Sequence, residues 1–411
     1  MIPYQTIDAA AHDKPRGNLS DLYPRWVGAR ELLLRGWNPY GEEVTREAQK
    51  GYYGRVVDGS HAGDPRDQQA FAYPAYVVFA LAPTVHLPFA PVQRGFFYLL
   101  IFLTAASAVI WLRVLGVDGA SNWRGRNLFV ASIVAIILTL GSLPVMQGLK
   151  LQQLSLLVAG LIAIAVWLLI HDHPIASGIV LALAAMKPQL VVLLLFWLGI
   201  WTLGDVRRRY QWAASFCVAM ALQICAAEWY LPHWIPQFWR AVREYRDYTG
   251  AISVLEESAG RWLGRGLEAL AFILLIRFCW RARSRAANTV AFARMTSMVL
   301  AFTVLLIPTD SVYNQVLLLP ALLVLFEDRA TLWRSKAARV LLLAAGALVA
   351  WPWISSVALA TLSFIWPEET IGRAWAVPFW TALLIPVGVA AVMLVNARPR
   401  SFGESAEGST S

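Results

Sequence analysis

The chain has 411 residues, 58% of them hydrophobic and only 15% charged, with a net charge of +9. Soluble domains carry about a quarter charged residues, so this composition excludes an ordinary water-soluble globule and indicates a polytopic α-helical membrane protein. The positive balance does not imply nucleic acid, because the basic residues sit mostly in short loops between apolar runs, as in cytoplasmic loops of membrane proteins.

Residues 1–70 contain no run of the roughly 20 apolar residues that cross a bilayer. A polar, membrane-adjacent region is expected there. Ser20 and Asp21 are good helix N-cap residues. Leu22, Trp26, Ala29 and Leu33 share one helical face, while Arg25, Glu31 and Arg35 point elsewhere. Gly36 stands where a glycine usually ends a helix. The pattern predicts a helix over 22–35 lying in the membrane interface, with Trp26 at headgroup level. On spacing alone, Asp21 is its cap. Residues 71–90, "FAYPAYVVFALAPTVHLPFA", hold a short apolar stretch bracketed by prolines. It reads as a re-entrant or interfacial segment, so that 1–95 forms one external region.

Apolar runs follow at about 96–114, 127–146, 150–170, 175–203, 212–231, 262–280, 291–308, 312–326, 338–358 and 375–396. Clusters of arginine follow five of them. All five clusters reach the cytoplasm only if 175–203 crosses twice. The break falls at "MKPQL" (186–190), since proline disfavours helical geometry in the residue before it. The expected fold is an all-α membrane bundle over 96–396 with about eleven crossings, followed by a disordered cytoplasmic tail at 397–411. Cys217, Cys225 and Cys279 lie inside apolar runs and form no CxxC pair, so no disulfide frame or metal site is expected.

An acidic residue followed by an aromatic neighbourhood, then "GWNPY" (36–40), "FAYPA" (71–75), "MKPQL" (186–190) and "PTDSVYNQ" (308–315) occur in that order on one side of this threading. The set resembles glycosyltransferase family 87 over residues 20–330, with Ala75 where the family pattern has a second proline. These are polytopic C-type enzymes, typified by polyprenyl-phosphate-mannose-dependent mannosyltransferases. The resemblance implies an inverting hexosyl transfer, of mannose or a related sugar. The donor would be a polyprenyl-phosphate sugar and the acceptor a lipid or glycan. The active site would face outward from a bacterial inner (plasma) membrane, with membrane lipids as further partners, no nucleic acid and no cofactor. It makes Asp21 the general base. Family members carry a transmembrane helix before this acidic residue, whereas Met1–Ser20 is polar. An inactive homologue lacking that helix, and a transporter or flippase of lipid-linked sugars, stand as alternatives.

For the donor phosphate, Lys187 is the first candidate, with Gln189 beside it, because charges within membrane segments are costly and mark function. The alternative is snorkelling to the headgroups. "QGLKLQQ" (147–153) places Lys150 at an external corner, as a phosphate contact or part of a solvated loop. Asp310, Tyr313 and Asn314 are candidates for sugar hydroxyls, with N-capping by Asp310 as the alternative. In "FWRAVREYRDYTG" (238–250), Arg240 and Arg243 suit phosphates, although an interfacial amphipathic helix explains the same pattern. Glu228 is placed to pair with one of these arginines. His171 and His173 lie near no third ligand, so no metal is expected.

Overall fold

The computed structural model describes residues 17–57, 64–65, 67–116, 126–308 and 311–397. The stretch before Gly17, Asp310 and the tail beyond Ala397 lie outside these. Among the described residues every regular element is helical, as the composition demands. They gather into two units. One holds the residues up to Leu100 with Leu149–Leu154 and Val218–Ala251; the other holds Ile101–Gly148, Ser155–Cys217 and the residues from Ile252 onward.

In the first unit a helix spans Leu22–Arg35, the range its sequence signals predict. Gly36, at φ 70°, ends it in the left-handed conformation, and its N–H donates to Leu32 O at 3.0 Å. The other signals need correction. Asp21 occupies the cap position but its side chain makes no cap hydrogen bond. Trp26 is only 2% exposed. Its ring packs on Phe89 at 5.3 Å and its Nε1 donates to Thr84 O at 3.3 Å. It is therefore a core residue rather than a headgroup anchor. Glu31 is likewise buried, paired with Arg35 at 3.0 Å. The reason is that the helix is covered on more than one side, by the helices Glu42–Tyr53 and Val77–Leu81.

Two sequence motifs interlock here. The Tyr40 hydroxyl of "GWNPY" donates to Tyr73 O of "FAYPA" at 2.7 Å. The absent side chain of Gly28 admits the Phe71 ring, which would lie 2.5 Å from a Cβ at that position. The 71–90 stretch folds into two short turns, Val77–Leu81 and Ala82–Thr84, neither long enough to cross a bilayer. The helix Trp234–Thr249 turns Trp234, Ala241, Tyr245 and Tyr248 inward at helical spacing and leaves Arg240 and Arg243 exposed. Glu228 accepts from the His233 N–H at 2.7 Å instead of pairing with an arginine.

In the second unit the break at "MKPQL" is present. Helices Pro174–Ala184 and Pro188–Leu203 flank it, and Lys187 sits at the cap position of the second with Pro188 at its first position. The helix Val290–Leu306 is buried along most of its length. Trp197 and Trp201 lie on its Phe292 at 5.8 and 5.3 Å, and Trp197 Nε1 donates to Thr296 Oγ1 at 3.2 Å. At the opposite end of Pro188–Leu203, the buried Arg209 guanidinium donates to Trp201 O, to Arg283 O at 2.6 Å and to Arg285 O at 3.1 Å. It thereby joins that end to the end of Arg261–Ala282.

Among the described residues four helices are long and apolar enough to cross a membrane: Phe89–Leu115, Val206–Tyr230, Lys336–Leu362 and Glu369–Asn396. The pair Asn127–Leu140 and Leu143–Leu151, bent by 60°, makes a fifth if counted as one span. Arg261–Ala282 carries Arg265, Glu268 and Arg277 and falls outside that set. Phe102, Phe129, Ile137 and Val357 stand out from these surfaces. Large apolar side chains exposed along helices of this length are stable against lipid, not water.

Candidate active site

Two polar clusters stand out, one in each unit. The first surrounds Asp21. Its backbone N–H donates to Leu151 O at 2.8 Å, which ties the residue to the corner after the helix Leu143–Leu151. Gln152 turns that corner in the left-handed region at φ 54°, a conformation non-glycine residues seldom adopt. Its buried side chain accepts from the Ser20 hydroxyl and donates to Gln93 O at 3.0 Å. Gln153 Nε2 donates to Asp21 Oδ2. "QGLKLQQ" is thus a helix end and a buried corner, not a solvated loop, and Lys150 is exposed in the last helical turn. The Tyr52 hydroxyl faces the same carboxylate. Burial, then the charge of Asp21 and a hydrogen bond to it, push its pKa up, so Tyr52 remains a donor.

Beside them, Arg25 donates from Nη1 to Asp21 O at 2.6 Å and lies 4.6 Å from the Tyr73 ring centre. Asp67 is held by Gln69, which donates from its backbone N–H at 2.9 Å and from Nε2 at 3.0 Å. The Tyr248 hydroxyl lies 3.5 Å from Asp67 Oδ1. Burial raises the Asp67 pKa, with Asp21 adding to the effect and Gln69, Arg25 and Tyr248 opposing it. Burial likewise pushes the Tyr245 hydroxyl up to about 12. Chemically, this is a fixed carboxylate ringed by protonated phenols, an amide and one guanidinium. It can accept a proton from a hydroxyl positioned against it.

The second cluster surrounds Lys187, which is 4% exposed. Its Nζ donates to Ser155 Oγ at 2.6 Å, approaches Asn314 Oδ1 at 3.4 Å and lies 4.9 Å from the Tyr313 ring centre. Ser155 donates in turn to Asn314 Oδ1 at 2.8 Å. Lys187 therefore does not snorkel to the surface. A buried ammonium of this kind is costly and is kept where its charge has a use. Gln189, two residues on, lines a groove of about 460 Å³ whose wall includes Val192, Leu193, Phe272 and Ile307.

The structure thus joins Lys187, Tyr313 and Asn314 in one cluster, places Gln189 at a neighbouring groove, and leaves Lys150, Arg240 and Arg243 exposed elsewhere. Reading the sequence missed Arg25, Tyr52, Asp67 and Ser155. The helical spacing of Phe238, Ala241, Tyr245 and Tyr248 was a usable signal, since it marks the inward face of its helix. Among the described residues no three His, Cys, Asp or Glu side chains are grouped as a metal site.

No curated protein and no solved structure matches the chain. A family model described as Glycosyltransferase family 87 matches residues 71–309, more than half of the chain. The matched stretch includes "FAYPA" and "MKPQL" but begins after Asp21. On that match, and with apolar helices fit to span a bilayer, the chain belongs to glycosyltransferase family 87 and is a membrane glycosyltransferase.

Proposed function

We propose that the protein is an inverting hexosyltransferase. It moves a hexose, mannose by the family resemblance, from a polyprenyl-phosphate donor to a lipid or glycan acceptor. The reaction takes place on the extracytoplasmic face of a bacterial inner membrane. Asp21 is the general base. It takes the proton of the acceptor hydroxyl, whose oxygen attacks the anomeric carbon. The bond from that carbon to the phosphate oxygen breaks, and its electron pair leaves with polyprenyl phosphate. Since the leaving group is already a phosphate ester anion, the enzyme must chiefly orient the reactants and supply positive charge near the departing oxygens. Lys187 supplies that charge, with Gln189, Tyr313 and Asn314 as hydrogen-bonding neighbours. Asp310 is assigned to the sugar hydroxyls on the resemblance alone. Lys150, Arg240 and Arg243, being exposed, are left to contact headgroup phosphates.

The observation that supports this reading best is the state of Asp21. Its carboxylate does no work as a helix cap and is instead held by Gln153 in a cluster of protonated donors. The test is sugar transfer from labelled polyprenyl-phosphate mannose in membranes containing the full chain. Wild type transfers label to lipid or glycan, and Asp21→Asn, present at equal level in the membrane, transfers none. Transfer by Asp21→Asn at the wild-type rate removes Asp21 as the base. An inactive wild type removes the donor assignment.

A further inference from the structure

We propose that Arg25, Asp67, Tyr245 and Tyr248 form the acceptor-recognition wall beside Asp21, and that the ligand they fit is a neutral polyhydroxylated group, a sugar ring. The inference rests on Asp21 being the base that meets the acceptor, and it gives a role to Arg25 and Asp67, which stand in no sequence motif, and to Tyr245 and Tyr248 of "FWRAVREYRDYTG".

Arg25 carries the argument. Its Nε–H is fully buried and has no hydrogen-bond partner among the described residues. A buried donor left unmet costs roughly 1–3 kcal/mol, a cost that a ligand oxygen brought against this guanidinium would recover. The guanidinium is fixed by its bond to Asp21 O and by the Tyr73 ring. Burial works against its charge, and Tyr73, Asp21, Tyr245 and Asp67 together more than offset that, so Arg25 stays protonated.

Asp67 supplies the second feature. Gln69 adopts φ 55°, in the left-handed region that is strained for a residue with a side chain, and in doing so brings both of its N–H donors onto Asp67. Strain of this kind is kept where a geometry has to be held. Tyr245 and Tyr248 stand edge to face at 5.3 Å, both half-buried on the inward side of their helix.

Charge selects the ligand class. Two carboxyl groups face one guanidinium, and burial favours the neutral form of Asp67, so the cluster offers a phosphate no net positive charge to bind. A polyol suits it: hydroxyls donate to the carboxylates and accept from the guanidinium, while tyrosine rings cover the C–H face of the sugar.

The experiment uses the purified full chain in lipid nanodiscs, titrated calorimetrically with methyl α-D-mannoside, methyl α-D-glucoside or inorganic phosphate. Wild type is expected to bind at least one glycoside. Asp67→Asn, which keeps shape and loses charge, is expected to weaken that binding about tenfold or more, and Tyr248→Phe several-fold. An unchanged thermal midpoint in either variant separates lost recognition from lost folding. Wild-type binding of phosphate in preference to the glycosides overturns the proposal, as does absence of glycoside binding. Unaltered glycoside binding by both variants overturns it too. The proposed function fails separately: glycoside binding that depends on Asp67, in a protein that transfers no sugar from polyprenyl phosphate, removes the donor and keeps the polyol wall.

Discussion

Burying the ammonium of Lys187 is expensive, and its neighbours show how the cost is met. Ser155 and Asn314 each offer an oxygen, and the face of Tyr313 adds a cation–π contact. Lys187→Ala removes the charge and leaves these polar groups in place. If Lys187 serves the donor phosphate, the donor KM should rise about tenfold or more, the scale of one charge-assisted hydrogen bond, while the acceptor KM holds. An unaltered donor KM in the membrane transfer assay excludes that role. Single residues were legible in the sequence where their cost was visible, as with a lysine at a proline break. They were hidden where they depend on distant partners: Gln153 reaches Asp21 across 132 positions of chain, and no local spacing rule encodes that.

Among the elements, the Leu22–Arg35 helix shows which local signals are reliable. Its stop was legible because a glycine end is backbone chemistry, whereas its start falls at the expected residue although Asp21 makes no cap hydrogen bond. What its faces touch was not, because amphipathic spacing gives a direction without naming what lies there. A Trp-bearing face reads alike whether it meets headgroups or Phe89. The same helix offers a packing test. Gly28→Ala drives a methyl group into the Phe71 ring, which is itself buried and cannot swing into open space. Overpacking of this sort costs about 1–3 kcal/mol. The thermal midpoint of the purified protein should fall, and transfer activity with it, because Phe71 and Tyr73 belong to the segment that packs against Arg25. An unchanged midpoint would mean that the segment 67–76 yields easily.

For the molecule as a whole, composition and loop charge gave the class, and the helix break at "MKPQL" was legible because proline acts locally. The number of crossings was less so. Several apolar helices are short, such as Pro174–Ala184 with 11 residues, and length alone does not assign them a path. Cysteine labelling tests the membrane reading. Cys217 and Cys225 lie on the outside of the Val206–Tyr230 helix and Cys279 is buried. In intact membranes a water-soluble maleimide should label Cys217 slowly, because lipid covers it, and label it fast once the protein is denatured in detergent. Fast labelling without detergent would put that helix face in water.

Arg209 has a consequence for how the enzyme can move. Pro188–Leu203 begins at the lysine corner and ends where this guanidinium grips carbonyl groups at the end of Arg261–Ala282. Sliding one rod along the other would strand a permanently charged group away from its acceptors. The lysine corner is therefore mounted on a clamped strut, and any relative movement of helices falls to other segments.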